Sequence, residues 1–208
     1  YYNQFMDRPP IVVAPYDTEL FGHWWFEGPQ WIDYVCRLQE KNSFLKLISL
    51  GTYLDQGYPL QVSSPNPSSW GDKGYHEVWL NGDNDWIYRH LHQAAEKMIS
   101  LATNHPRAEG TLKMALNQAA RELLLAQSSD WPFIITAGTM DNYATNRVIS
   151  HLKRFFKLEE QIWENKIDTS WLHHLQETDN LFPNLDYSLF HSLAETVPVE
   201  KQQLIEVI

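Results

Sequence analysis

Asn117-Gln118-Ala119-Ala120-Arg121-Glu122-Leu123-Leu124-Leu125-Ala126-Gln127-Ser128-Ser129-Asp130-Trp131 is the stretch on which the fold turns. Together with the residues before it, Leu112, Leu116, Ala119, Ala120, Leu123 and Leu124 recur at helical spacing. A helix near Ala108 to Gln127 therefore carries a single apolar stripe. Ser128-Ser129-Asp130 breaks that pattern and offers an N-cap for a short helix over Trp131 to Ala137. Working outward, Asp85 caps a helix through about Thr103, stopped by Pro106. A long helix near Tyr143 to Asn165 has its stripe at Val148, Leu152, Phe155, Phe156, Ile162 and Trp163. Asp168 caps another through Gln176, and Pro183 ends the regular pattern. Upstream, Pro29 suits the first turn of a helix to about Asn42, with Trp31, Tyr34, Val35 and Leu38 on one face. A short helix follows near Thr52 to Gln56. The expectation is a mainly α protein in which about six helices pack as a bundle.

Two segments break the helical rule. Ile11-Val12-Val13-Ala14, bounded by Pro10 and Pro15, reads as a short buried strand. It leads into Pro15-Tyr16-Asp17-Thr18-Glu19-Leu20-Phe21-Gly22-His23-Trp24-Trp25-Phe26-Glu27-Gly28-Pro29, which crowds ionisable groups against aromatic ones as a cleft does. The stretch from Gly57 to Asp85 holds Pro59, Pro65, Pro67 and repeated Ser and Gly. An irregular segment of that length is commonly functional.

Composition narrows the function. The chain has 208 residues, 43% hydrophobic and 20% charged, with no apolar run near the ~18 residues of a membrane span. Its net charge is −10 without a basic stripe, which argues against nucleic acid or an anionic membrane as partner. Cys36 is the only cysteine, so neither an intrachain disulfide nor a cysteine zinc site can form. With no signal-peptide pattern, a reducing cytoplasm is the expected setting. The chain opens on Tyr1 rather than Met, so Tyr1 need not be the natural start. Nine tryptophans are about three times ordinary usage, and several sit in polar, Gly- and Ser-rich surroundings.

Four ordered motifs carry a resemblance. Pro15 to Trp25 resembles the fourth sequence region of glycoside hydrolase family 57, and within it the α-1,4-glucan branching enzymes. Ser68-Ser69-Trp70-Gly71, Glu77-Val78-Trp79-Leu80-Asn81 and Asn117 to Trp131 agree in the same order, and Phe182-Pro183-Asn184-Leu185-Asp186-Tyr187 is similar to the family's tail. The resemblance implies retaining glycosidases or transglycosylases on an incomplete (β/α) barrel, followed by a helical C-terminal domain. Residues 1–42 would be the end of the catalytic barrel. Residues 43–208 would be the helical domain, with an active-site loop at about 57–85.

The resemblance makes Asp17 the general acid/base, and an acid after a barrel strand does occupy the catalytic rim. The nucleophile, a Glu on an earlier barrel strand in the family, has no counterpart among these motifs. The chain is thus expected to be a C-terminal portion, a fragment or one chain of a split protein, inactive alone and paired with the N-terminal barrel. Glu19 lies two residues from Asp17 and could face the same way, but the family gives it no such role. Trp70 and Trp79 suit a pyranose face; the plainer reading is that they anchor a long loop. The resemblance also brings Asp130, with Trp131, to the substrate, although Asp130 has a local role as a helix N-cap. His23 and Trp24 complete the substrate set, and since consecutive residues cannot both face a cleft, one of Trp24 and Trp25 is expected in the core. Gln118, Arg121 and Glu122 share a helix and mostly face water on the ordinary reading.

No cofactor and no metal are expected. His90 and His92 point about 200° apart on a helix, and His173 and His174 also diverge. His23 beside Asp17 or Glu19 is a weak pattern. The expected partner is an α-glucan. A 1,4-α-glucan branching activity is the leading reading, with amylase or 4-α-glucanotransferase as the rival within the class. A non-catalytic helical module that binds glucan or pairs with a barrel subunit is the rival from another class.

Overall fold

A computed structural model describes residues 2–41 and 45–191. Among them are seven α-helices and no β-strand. The chain divides into two units, residues 1–65 and 66–208.

The first unit holds α1 (Gly28–Glu40), α2 (Leu50–Leu54) and a π-turn over Leu20–Trp24. Pro29 enters α1 in its first turn, as its missing N–H allows. The expected end near Asn42 lies outside the described residues. Ser49 caps α2 by accepting from the Thr52 N–H at 3.1 Å. An aromatic cluster forms around Phe21. Its ring stacks on Trp31 at 6.4 Å, meets Trp25 at 5.9 Å, and takes the edge of Tyr16 at 5.7 Å. Gly28 is buried against this cluster, where a Cβ would stand 2.9 Å from the Phe21 ring.

The buried strand expected at 11–14 does not form. Val12 is 91% exposed, Val13 57% and Ile11 40%, and no described strand lies beside them. A strand needs a neighbour to take its N–H and C=O groups, and β-branched residues alone cannot supply one. For the same reason the expected apolar face of α1 is largely uncovered, with Tyr34 and Leu38 exposed.

The second unit is the bundle: α3 (Trp86–Asn104), α4 (Gly110–Ala126), α5 (Asp130–Ala137), α6 (Asp141–Trp163) and α7 (Thr169–Thr178). The central helix is α4, which packs on α3, α6 and α7. Its small residues Ala115, Ala119, Ala120 and Ala126 are completely or almost completely buried, letting neighbours approach closely. Met98 and Leu101 of α3, Val148, Phe155 and Leu158 of α6, and Leu172 of α7 fill the space between. Each such side chain contributes about 1.5–3 kcal/mol by leaving water.

Asp168 caps α7 as expected, accepting from the Trp171 N–H at 3.0 Å. Asp85 stands at the start of α3 without making a side-chain cap bond. The α5 helix starts one residue earlier than the pattern indicated, so Ser129 is its N-cap position and Asp130 its first residue. Trp163, expected in the stripe of α6, is 48% exposed near that helix's end. A 3-10 turn over Tyr187–Phe190 closes the described chain. Buried Tyr187 sews it down: its hydroxyl donates to the His105 carbonyl and accepts from the Ala108 N–H, while its own N–H donates to Asn117 Oδ1.

Candidate functional site

Each unit carries part of the expected residue set. In the first, Asp17 is exposed between Tyr16 and the π-turn, and its backbone carbonyl accepts from the Leu20 N–H at 3.2 Å. Its carboxylate has no hydrogen-bond or ion-pair partner among the described residues. Glu19 is exposed at the N-cap position of the π-turn without capping it. His23 is exposed, its ring 5.2 Å from that of Trp24. The two adjacent tryptophans divide by environment: Trp24 is 75% exposed, whereas Trp25 packs on Phe21 and on Trp31 at 5.5 Å.

In the second unit Trp70 and Trp79 meet edge to face, with centroids 4.9 Å apart and planes at 82°. Phe133 of α5 lies 5.7 Å from Trp70 and 6.5 Å from Trp79. Trp70 is 78% exposed, an expensive placement for an indole unless something lies on it. Trp79 is half-buried and firmly mounted, its carbonyl accepting from the Tyr88 hydroxyl. Burial raises the Tyr88 pKa above the ordinary phenol value and keeps that donor protonated. Gly71 permits the close fit, since a Cβ there would stand 2.8 Å from the Trp79 ring and 3.1 Å from Val78.

The residue that fixes this loop escaped sequence reading. Asn84 is fully buried, and its amide donates to Val78 O, Pro132 O and Thr136 Oγ1 at 3.0–3.3 Å. Its carbonyl oxygen accepts from the Asn81 N–H at 2.9 Å. Asn81 reaches the same Thr136 hydroxyl at 2.9 Å, and that hydroxyl donates to Val78 O at 2.7 Å. These bonds tie the loop to α5. An asparagine just before a helix reads locally as a cap, so nothing in the pattern marked it.

Asp130 is exposed at the start of α5, where its carboxylate accepts from the Ser128 hydroxyl at 3.0 Å and favours the helix N-terminus. Ser128 and Ser129 line, with Trp79, a cavity of about 200 Å³. Trp131 turns the other way. Its indole N–H donates to the Leu125 carbonyl at 2.8 Å, and its ring lies against Tyr143 and the Arg147 guanidinium of α6.

Gln118, Arg121 and Glu122 do not face water. All three are buried on α4, in a polar cluster inside the bundle. Glu122 accepts from Gln118 Nε2 at 2.8 Å and from His151 Nδ1 at 2.7 Å; a carboxylate only accepts, so that imidazole proton sits on Nδ1. Gln118 accepts from Arg121 and also donates to Asp179 O at 3.2 Å. Arg121 also donates to the carbonyls of Leu181 and Phe182, at 2.6 and 3.3 Å. Burial lowers its pKa, opposed by Glu122 and Asp179. Phe182 adopts φ 51, a left-handed conformation that costs a bulky residue energy. The signal that could have found the cluster is positional: His151 falls on the stripe of Val148 and Phe155.

Glu122, His151 and Asp179 each offer a ligand atom within 4.8 Å of one another. Arg154 already donates to Asp179 and comes within 4.0 Å of Glu122, so a cationic side chain balances these carboxylates. That arrangement suits an internal ion cluster better than a divalent ion.

Residues 90–190 match the family model described as "1,4-alpha-glucan branching enzyme, C-terminal". The chain is 34% identical over 178 residues to the 1,4-alpha-glucan branching enzyme TK1436 of Thermococcus kodakarensis, covering 83% of this chain and 26% of that one. Among solved structures, a GH57-type branching enzyme from Pyrococcus horikoshii aligns with TM-score 0.72 at 35% identity, over 92% of this chain and 37% of that one. The alpha-amylase AmyC of Thermotoga maritima aligns with TM-score 0.67 at 39% identity, over 91% and 35%. The chain is therefore similar to the C-terminal portion of the branching enzymes of glycoside hydrolase family 57. It spans about a quarter to a third of the length of the relatives it matches. No described helix is long and apolar enough to cross a membrane.

Proposed function

We propose that this chain is the C-terminal part of a retaining α-glucan branching enzyme. The enzyme would cleave an α-1,4 linkage and transfer the released chain to a 6-hydroxyl. The observation that carries the reading is the exposed Trp70 beside a rigidly mounted Trp79, in a chain whose sequence and fold match branching enzymes. An indole face packs on the C–H groups of a pyranose ring. Asp17 protonates the departing glycosidic oxygen and then deprotonates the incoming hydroxyl. The nucleophilic carboxylate comes from an N-terminal barrel portion, so the 208 residues alone turn over no glucan. Asp130, His23 and Trp24 touch substrate, while Trp131 acts through packing. The setting is glycogen-type synthesis in the cytoplasm.

The test is product analysis with the longer protein that contains the barrel. Amylose should gain α-1,6 branch points, and Asp17→Asn should abolish them. The likeness to AmyC favours one second reading, hydrolysis. Reducing ends appearing without branch points would establish it and refute branching. Glucan turnover by the 208-residue chain alone would refute the missing-nucleophile argument.

A further inference from the structure

We propose that the cavity beside Trp79 binds a single pyranose unit of an α-glucan, as a site distinct from the exposed face of Trp70. The choice of ligand class rests on the glucan reading above; the existence of the site rests on its geometry. The cavity lies where α3, the turn between α4 and α5, and the start of α5 converge. Its volume of about 200 Å³ is room for roughly six or seven waters at ~30 Å³ each. It falls below the ~300–1,000 Å³ of pockets for larger ligands, so it holds one ring rather than a chain.

The lining specifies a neutral, amphipathic guest. Ile87, Leu91 and Pro132 are buried apolar residues, and Trp79 adds an indole wall. Gln127 and Ser129 contribute an amide and a hydroxyl, neither with a side-chain partner among the described residues. Each can both donate and accept, as sugar hydroxyls require. Tyr88 donates to the Trp79 carbonyl and keeps lone pairs free to accept. No Lys, Arg, His, Asp or Glu lines the cavity, which disfavours a phosphorylated or metal-bound guest. A pyranose matches the remainder: C–H groups against the apolar floor, hydroxyls toward Gln127 and Ser129. The walls are held in place by the Asn84 and Tyr88 hydrogen bonds, so little ordering is required on binding.

Titration of the 208-residue chain with maltose and with maltoheptaose, followed by heteronuclear NMR, separates this site from the Trp70 face. Ser129→Phe places a ring at the cavity, and Ser129 makes no side-chain cap bond whose loss would unfold α5. This substitution should weaken maltose binding at least about tenfold, with resonance shifts on Ile87 and Leu91 lost. Trp70→Ala should weaken maltoheptaose more than it weakens maltose, because the longer chain also reaches the Trp70 face. Gln127→Ala, an exposed change with little folding risk, should weaken maltose several-fold and decides the matter should Ser129→Phe misfold. No maltose binding by the wild-type chain, or unchanged maltose binding in Ser129→Phe and Gln127→Ala, would overturn the cavity site. Unchanged maltoheptaose binding in Trp70→Ala, with maltose lost in Ser129→Phe, would instead sink the Trp70 platform and leave the cavity standing.

Discussion

Replacing Glu122 by Gln removes one negative charge from the middle of the bundle while keeping its volume. The native carboxylate accepts two hydrogen bonds, from Gln118 at 2.8 Å and His151 at 2.7 Å, and has no exposure to water. A glutamine can accept only on one oxygen; its NH₂ would face His151 Nδ1. The imidazole must then move its proton to Nε2, a buried atom with no hydrogen-bond partner. Hydrogen bonds to charged groups contribute about 1.5–3 kcal/mol each, and breaking a buried pair costs about 3–5 kcal/mol. With one of two bonds retained, the expected loss is about 3 kcal/mol. At a urea slope near 3 kcal/mol/M, the midpoint should fall by about 1 M. Circular dichroism at 222 nm reads this directly, because α3, α4 and α6 supply most of the helix. Glu122→Leu, which strands both donors, should cost more. A midpoint within about 0.2 M of wild type for Glu122→Gln would refute the assignment of this cluster as structural.

Three further outcomes are expected. Asp186 accepts from the Ser188 N–H and from Lys113, which holds its carboxyl at about 2, below the ordinary 3.8. A depressed carboxyl stabilises the fold fully above the unfolded value and loses that contribution as pH falls through about 2. The stability gap between wild type and Asp186→Asn should therefore be present at pH 5, shrink as pH falls through about 2, and close below it; being half-exposed, the pair contributes modestly. Gly71→Ala meets the Trp79 ring at 2.8 Å with an ordinary φ of −68, so the penalty is steric. It should cost about 1–3 kcal/mol and perturb the tryptophan emission; an unchanged spectrum and melting temperature would contradict the packing. Dialysis against EDTA, or addition of Zn²⁺, should leave the melting temperature unchanged, since Arg154 supplies the charge the carboxylates need. A rise of several degrees with Zn²⁺ would make Glu122, His151 and Asp179 a metal site.

The bundle was legible because each helix writes its buried face at a fixed period and its ends in single residues such as Pro29 and Asp168. Boundaries slipped where two candidates stood together, as at Ser129 and Asp130. The strand at 11–14 failed for a different reason: apolar runs announce a need for burial but not the neighbour that satisfies it. Within the candidate site, the tryptophans stood out by composition and surroundings. Asn84 and His151 did not, because their roles lie in partners tens of residues away. A polar residue on an apolar stripe is the one local hint, and His151, between Val148 and Phe155, gives it.

Two of the acceptors for Arg121 and one for Gln118 are main-chain carbonyls at Asp179, Leu181 and Phe182, beyond the last α-helix. Those few irregular residues are therefore interior ligands of the bundle, whatever the exposed side chains of Leu181 and Phe182 suggest. A truncation at Thr178 would preserve every helix and still leave a buried guanidinium with no main-chain oxygen to bond. Anyone trimming this domain to its regular structure would be removing part of its core.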